Sequence, residues 1–170
     1  MPNRKKIRAT PKSGFTLVEA MVAIFVVTVG TIGALGLITQ SISFGRTSSN
    51  QAIAVYLAQE GVELIRNIRD TNFLTAPAVP WDKDLTACSD GCEIDYNDTV
   101  PTSFADKKLL INSGGFYNYD TGSEETLFKR KITITKPPAG LMEVRVEVFW
   151  EEKGVSNSVE VETELYDWDD

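Results

Sequence analysis

The sequence predicts an α+β fold in which one long N-terminal helix packs against a small antiparallel sheet. Three observations carry this prediction. Residues 15–38 form an apolar run, residues 53–68 continue it with apolar positions at helical spacing, and the last third of the chain alternates apolar and polar residues as a strand does. The 170 residues have room for one head domain and one apolar anchor.

The apolar run of residues 15–38 has the length of a membrane span and contains a single charged residue, Glu19. As a helix it would measure about 36 Å, against a hydrocarbon core of about 30 Å. The basic residues that precede it are Arg4, Lys5, Lys6, Arg8 and Lys12. This flank predicts a single-pass segment with a cytoplasmic N-terminus. Because a carboxylate in such a segment costs roughly 2.5–3.5 kcal/mol on insertion scales, Glu19 needs a positive partner.

Residues 12–38 closely resemble the N-terminal signature of type IV prepilins and type II secretion pseudopilins, in which Gly14, Phe15 and Glu19 match three defining positions. The resemblance implies that a prepilin peptidase cleaves between Gly14 and Phe15 and methylates Phe15. Residues 1–14 would then be a basic leader peptide. The new amine of Phe15 would be the partner of Glu19, within one chain or between neighbouring subunits during assembly.

Two simpler interpretations of the N-terminus are a secretory signal peptide and a plain membrane anchor. A secretory apolar region usually has about 7–15 residues and ends at a small-residue cleavage site, whereas this run is longer and carries Glu19. A plain anchor accounts for the length and the basic flank. It explains neither the Gly14-Phe15 pair nor the acid.

Three glycines, Gly30, Gly33 and Gly36, lie in the second half of the apolar run. Each lowers helix stability by about 1 kcal/mol relative to alanine, which favours local loosening of the helix. Small residues also allow close helix packing in membranes, so packing is an equal alternative. Many relatives of the resembled family have proline where this chain has Gly36, and the helix loosens near it in assembled filaments.

The helix is predicted to continue to residue 70. Residues 54–66 look like the helix continuation of minor pilins and pseudopilins, and Arg66 and Asp70 are spaced for an i,i+4 ion pair. The apolar stripe of this second half is Ile53, Leu57, Gly61, Leu64 and Ile68.

The predicted head, residues 71–170, begins with a loop-rich segment. Residues 71–123 are rich in turn-forming residues and predict long loops with one short strand or helical turn. Within it, residues 89–98 concentrate oxygen side chains, but their spacing does not fit an EF-hand and a solvated loop is expected. Cys88 and Cys92 predict a small disulfide loop in an exported head, with free thiols as the alternative.

Residues from about 128 to 166 are predicted to form antiparallel strands. One face of a strand carries Met142, Val144, Val146, Val148 and Trp150, and one face of the next carries Val159, Val161, Thr163 and Leu165. Lys153-Gly154 predicts a hairpin turn between them. An earlier strand, residues 128–135, is expected to place Lys129 and Lys131 against Glu147 and Glu143. The helix stripe is the available cover for the apolar face, which gives a ladle-like expected shape.

Charge and composition exclude several function classes. Without residues 1–14 the chain keeps 12 of its 17 basic and all 24 of its acidic side chains, so nucleic acid is not an expected partner. The chain has no histidine and no recognisable nucleophile, phosphate or metal motif, so neither an enzyme nor a cofactor or metal site is expected. Paired carboxylates permit glycoside hydrolysis in principle, but these acids alternate on solvent faces.

The sequence thus predicts a structural subunit of a pilus-like or pseudopilus filament, and the irregular middle segment favours a minor subunit. Its partners would be a prepilin peptidase, other pilin or pseudopilin subunits, and an assembly platform in the cytoplasmic membrane. The chain would wait in the bacterial cytoplasmic membrane before joining an extracytoplasmic filament. Pilus, secretion and competence systems all fit. The alternative is a membrane-anchored surface binding domain that does not polymerise.

Overall fold

The computed structural model describes residues 14–75, 79–120, 124–137 and 140–168. Residues 1–13 of the predicted leader lie outside this description. The chain divides into two compact units, Met1–Arg46 and Thr47–Asp170. The predicted α+β class is confirmed: a helix, α1, spans Leu17–Leu74, and seven strands form one sheet. The strands are β1 Cys92–Glu93, β2 Thr102–Ser103, β3 Lys108–Ile111, β4 Tyr117–Asn118, β5 Glu124–Thr135, β6 Leu141–Glu152 and β7 Val155–Tyr166.

Helix α1 ends four residues beyond the predicted boundary at residue 70. Its buried face is also slightly rotated from the predicted stripe, because Ile65 is fully buried whereas Ile53 and Leu64 are only partly buried. The predicted pair of Arg66 with Asp70 is wrong: Arg66 Nη1 contacts Glu63 Oε2 at 2.6 Å. The helical residues buried in the head are Ala54, Leu57, Ala58, Gly61, Val62, Ile65, Ile68, Arg69 and Asn72.

The sheet is built around β5, whose two edges pair with different strands. One edge pairs antiparallel with β6, which in turn pairs with β7. The other edge pairs with β3 near its start and with β1 at Ile132, and the order on that side is β2-β1-β5-β3-β4. The hairpin of β6 and β7 turns at Lys153 and Gly154, as predicted, and both residues have positive φ angles of 54° and 77°.

The register of β5 with β6 confirms half of the predicted charge pairing. Lys131 lies opposite Glu147, but Lys129 lies opposite Phe149 and forms an ion pair with Asp106 at 2.5 Å. The prediction was wrong for Glu143, which lies opposite Thr135. In an antiparallel pair, lysines two residues apart face positions two residues apart, so one register cannot bring them to glutamates four apart.

The predicted loop-rich segment, residues 71–123, contains more regular structure than expected. It holds the last turn of α1, a 3-10 turn at Thr86–Cys88 and the strands β1 to β4. Three of these strands have only two residues. Strands this short leave no detectable alternation in the sequence, because the period-2 signal needs about 4–8 residues.

The core of the head lies between the buried face of α1 and one face of β5, β6 and β7. Met142, Val144, Val146 and Val148 are each at most 1% exposed, and Val159 and Val161 of β7 pack against this cluster from its margin. The apolar face of the predicted hairpin is therefore the covered one. The helix packs on the sheet because each of them would otherwise expose an apolar face to water.

Candidate processing and assembly site

The first described residues form an uncoiled entry to α1. Residues 14–16 are not helical, and the helix begins at Leu17. Thr16 occupies the N-cap position: its Oγ1 accepts a hydrogen bond from the Glu19 backbone N–H at 3.2 Å, and its carbonyl accepts one from Ala20 N–H at 3.1 Å. These contacts satisfy donors and fix the helix start, as N-cap residues do.

The peptide bond between Gly14 and Phe15 thus lies outside the helical hydrogen-bond ladder. Phe15 is 77% exposed, and a Cβ added at Gly14 would meet nothing within 4 Å. A protease binds its substrate backbone in a non-helical form, and no side chain of the described residues covers this bond. In this structure the peptide bond between Gly14 and Phe15 is therefore exposed to solvent.

Glu19 lies in the first turn of α1, one turn after Phe15. Acidic side chains at this position interact favourably with the helix dipole, typically by about 0.3–1 kcal/mol. With Thr16 three residues earlier, Glu19 also fits the spacing of a capping box. The helix N-terminus is therefore a local positive partner for Glu19 that exists before any cleavage creates an amine at Phe15.

Thr16 is the site residue that the sequence reasoning did not use, although its signal was present. A threonine followed three residues later by glutamate, directly before an apolar run, is a helix N-terminus signature. The prepilin resemblance drew attention to Gly14, Phe15 and Glu19 instead. The structure joins Thr16 and Glu19 by a direct hydrogen bond.

Threonine hydroxyl groups in and just after the apolar part of α1 form hydrogen bonds to backbone carbonyls of the same helix. Thr28 and Thr31 donate to the carbonyls of Phe25 and Val27 at 2.9 and 2.7 Å, and Thr39 donates to Gly36 O at 2.9 Å. This back-bonding satisfies polar groups that lipid would leave without partners. An 18-residue window of the helix has a mean hydropathy of 2.4 and none of it is buried, so the helix is long and apolar enough to cross a membrane.

Gly30, Gly33 and Gly36 lie in an unbroken stretch of α1. A Cβ added at any of the three would meet nothing within 4 Å. No contact among the described residues of this chain therefore requires glycine at these positions. Packing against another helix and loosening in a filament both remain proposals for them.

Cys88 and Cys92 form the predicted disulfide, with Cα atoms 5.0 Å apart. The bridge joins the 3-10 turn to β1, and both sulfur-bearing residues are buried at 0% and 2% exposure. It closes a small loop against β5, which pairs with β1 at Ile132. Among the described residues, no cluster of three or more His, Cys, Asp or Glu side chains is placed to hold a metal ion.

The expected solvated loop at residues 89–98 is only half correct, because Glu93 and Asp95 are each 2% exposed. Glu93 Oε1 accepts hydrogen bonds from the N–H groups of Ala105 and Lys107, at 3.1 and 3.0 Å. Asp95 accepts from Asn97 and Tyr119 N–H groups, at 3.1 and 2.9 Å. The oxygen atoms that suggested cation binding thus fix loops by accepting backbone hydrogen bonds, which buried carboxylates require.

The largest fully buried side chain of the described head is Arg130, which the sequence reasoning missed. Its Nη1 and Nη2 donate to the carbonyls of Leu57 and Ile94 at 3.1 and 2.6 Å, and Nη1 lies 3.5 Å from Glu60 Oε1. The signal was its position: Arg130 alternates with Phe128 and Ile132 on the apolar face of β5. It joins α1, the loop after β1 and the central strand of the sheet.

Residues 10–35 match the family model of the prokaryotic N-terminal methylation motif. This motif is the signature of type IV pilins and pseudopilins, and it contains Gly14, Phe15, Glu19 and the N-cap Thr16. The chain combines that signature with a pilin-like architecture, a long N-terminal helix packed with an antiparallel sheet. Neither a curated protein nor a solved structure gives a significant match to the chain.

Proposed function

We propose that this chain is a structural subunit of a type IV pilus-like or type II secretion pseudopilus filament, and that it is a minor subunit. The observation that carries the proposal is the methylation motif at residues 10–35, which from Leu17 onward forms the exposed, apolar start of α1. The motif points to a structural role and not to catalysis.

In this proposal α1 first anchors the chain in the bacterial cytoplasmic membrane, with the N-terminus in the cytoplasm and the head outside. A prepilin peptidase cleaves between Gly14 and Phe15 and methylates Phe15. The apolar half of α1 then leaves the lipid and packs among the helices of other subunits at an assembly platform. The exposure of the side chains of residues 15–38 supports this step, because a filament or a bilayer must cover them.

Replacing Gly14 tests the processing step. Gly14→Val places a β-branched side chain beside the bond to be cleaved, where the peptidase must approach the backbone closely. We expect the variant to keep its leader, so that mass spectrometry of the protein from the native membrane finds no chain that begins at methylated Phe15. Gly33→Val is the matched control, since a Cβ there also meets nothing within 4 Å, and it should be cleaved normally.

Two outcomes would contradict the proposal. A methylated Phe15 terminus in Gly14→Val would show that Gly14 does not define the cleavage site. The second outcome is that the wild-type chain stays uncleaved in cells with an active peptidase and is not found in sheared filaments. That result would favour the membrane-anchored binding domain.

A further inference from the structure

Strand β7 forms an open edge of the sheet. It has 12 residues, Val155–Tyr166, and pairs with β6 alone among the described residues. A strand of this length presents a row of unpaired backbone donors and acceptors about 40 Å long. Such an edge is a template for a further strand, and natural proteins either protect it or use it for binding.

The outward face of β7 carries Glu160, Glu162 and Glu164, and the neighbouring strand β6 compensates their charge only in part. Across the three longest strands, three rows of directly opposed residues on this face carry acidic groups: Lys131-Glu147-Glu160, Thr133-Arg145-Glu162 and Thr135-Glu143-Glu164. The rows change sign or are neutral between β5 and β6. Between β6 and β7, however, Glu147 faces Glu160 and Glu143 faces Glu164. Like charges directly opposed in an antiparallel pair are destabilising.

The cations on this face are fewer than its carboxylates and compensate them only in part. Arg145 lies between the two like-charge rows and contacts Glu162 at 2.5 Å and Glu160 at 3.6 Å. The hydrogen bond to Glu162, with the nearby carboxylates, raises the pKa of Arg145. On the far side, Lys129 is engaged with Asp106 and Lys131 lies over the ring of Phe104. One arginine is left among the glutamates of β6 and β7.

We propose that the β7 edge is a docking site for an extended basic segment of a different protein, which adds to the sheet as an eighth strand. Lysine or arginine at alternate positions of that segment would lie beside Glu160, Glu162 and Glu164 and complete the charge rows. Apolar residues between them would pack beside Val159 and Val161, which are partly buried at the margin of the core. Backbone pairing supplies affinity and the alternating cations supply specificity.

The same charges argue against a second copy as the occupant. In a β7-to-β7 pair the glutamates of one strand would face those of the other, adding like-charge contacts to those already present. Edge glutamates thus prevent self-pairing while they favour a basic partner. The inference relies on the proposed function only for the location of that partner, which would be an extracytoplasmic protein such as another subunit.

The probe is a fluorescent peptide of about nine residues with alternating lysine and valine, roughly the length of a strand. It is titrated by anisotropy against the full chain in detergent micelles at low ionic strength. A peptide in which proline replaces each valine has the same charge but cannot pair as a strand. We expect the proline peptide to bind at least about tenfold more weakly, since it keeps only the screened charge attraction.

The protein variant for this test is Glu160→Lys with Glu164→Lys, two exposed positions where removal of a like-charge contact should not harm folding. Its matched control is Asp90→Lys with Glu124→Lys, exposed positions outside β6 and β7 that change the net charge equally. We expect the first variant to lose binding of the lysine–valine peptide by at least about tenfold and the control to keep most of it. Each of the following would overturn the proposal: equal losses in both variants, equal binding of both peptides, no binding by the wild type, or self-association through β7.

Discussion

At the scale of single residues, Arg130 links α1, the loop after β1 and strand β5. Its guanidinium is completely buried and bonds to Leu57 O on the helix and Ile94 O on the loop, while its Nε has no hydrogen-bond partner among the described residues. A buried cation of this kind is costly to desolvate, so its contacts must be kept together. Arg130 therefore fixes how the helix and loop meet β5.

Replacing Arg130 should separate loss of volume from loss of hydrogen bonds. We expect Arg130→Ala to lower the free energy of unfolding by about 3–5 kcal/mol, because it leaves a cavity and an unpaired Ile94 carbonyl. Arg130→Met fills the cavity and should cost about 1–3 kcal/mol. Urea unfolding followed by tryptophan fluorescence measures both changes. Arg66→Met, which loses only an exposed ion pair, is the control; an equal loss there would refute the special role of Arg130.

Tyr119 makes the stability of the head depend on pH in the alkaline range. Burial raises the pKa of Tyr119 well above its usual value of 10.0, with a smaller opposing effect from Arg130. The folded state therefore favours the neutral phenol, so stability is fully present below pH 10.0 and falls as the pH rises above it. We expect Tyr119→Phe to make the free energy of unfolding less dependent on pH above 10.0, by the equivalent of about one proton per molecule. Urea unfolding at a series of pH values measures this dependence. An unchanged pH dependence of stability in Tyr119→Phe would contradict the assignment.

At the scale of elements, Gly61 determines how closely α1 approaches the sheet. A Cβ at Gly61 would lie 2.8 Å from Val146 Cγ1 and 3.1 Å from Arg130 Cδ. We expect Gly61→Ala to destabilise the head by about 1–3 kcal/mol despite the better helix propensity of alanine, because overpacking outweighs it. Gly45→Ala, where a Cβ meets nothing within 4 Å, should not lower the urea midpoint. A Gly61→Ala protein as stable as wild type would show that the helix can shift freely.

The long elements were predictable because their periodicity extends over many residues. The alternation from Met142 to Trp150 predicted the face that is buried, and the helix stripe predicted it approximately, because Ile53 and Leu64 are only partly buried. The strands β1, β2 and β4 were not predictable, since each has only two residues. Contacts distant in sequence stabilise this region, such as the hydrogen bond from Tyr119 N–H, just after β4, to Asp95, just after β1. Local pattern carries no information about such tertiary contacts.

At the scale of the whole molecule, the sequence identified the processing signature but not the interior that supports the head. Gly14, Phe15 and Glu19 lie within six consecutive residues, so a motif reveals them directly. Arg130, Glu93 and Asp95 act only once the sheet brings them to their backbone partners. The sequence predicted a solvated loop for Glu93 and Asp95 and made no prediction for Arg130, since charged side chains are rarely buried unless they are paired.

Replacing Glu19 tests whether the start of α1 also guides assembly. Glu19 lies at a helix N-terminus, with its backbone N–H bonded to Thr16 Oγ1, and the proposed cleavage would add a positive amine at Phe15. We expect Glu19→Val to insert and to be cleaved normally but to join filaments poorly, since loss of one partner from a buried ion pair typically costs about 3–5 kcal/mol. Insertion, processing and recovery in sheared filaments are measured separately in cells that express the variant.

Glu19→Gln distinguishes two proposed roles of this side chain, an ion pair in assembly and a polar group in the first turn of α1. Glutamine keeps the length and hydrogen-bonding capacity of a capping-box residue but removes the charge. If the carboxylate pairs with the amine of Phe15 in a neighbouring subunit, Glu19→Gln should fail to assemble as Glu19→Val does. Normal incorporation of both variants would exclude Glu19 from assembly. Incorporation of glutamine alone would show that assembly needs a polar side chain at this position but not its charge.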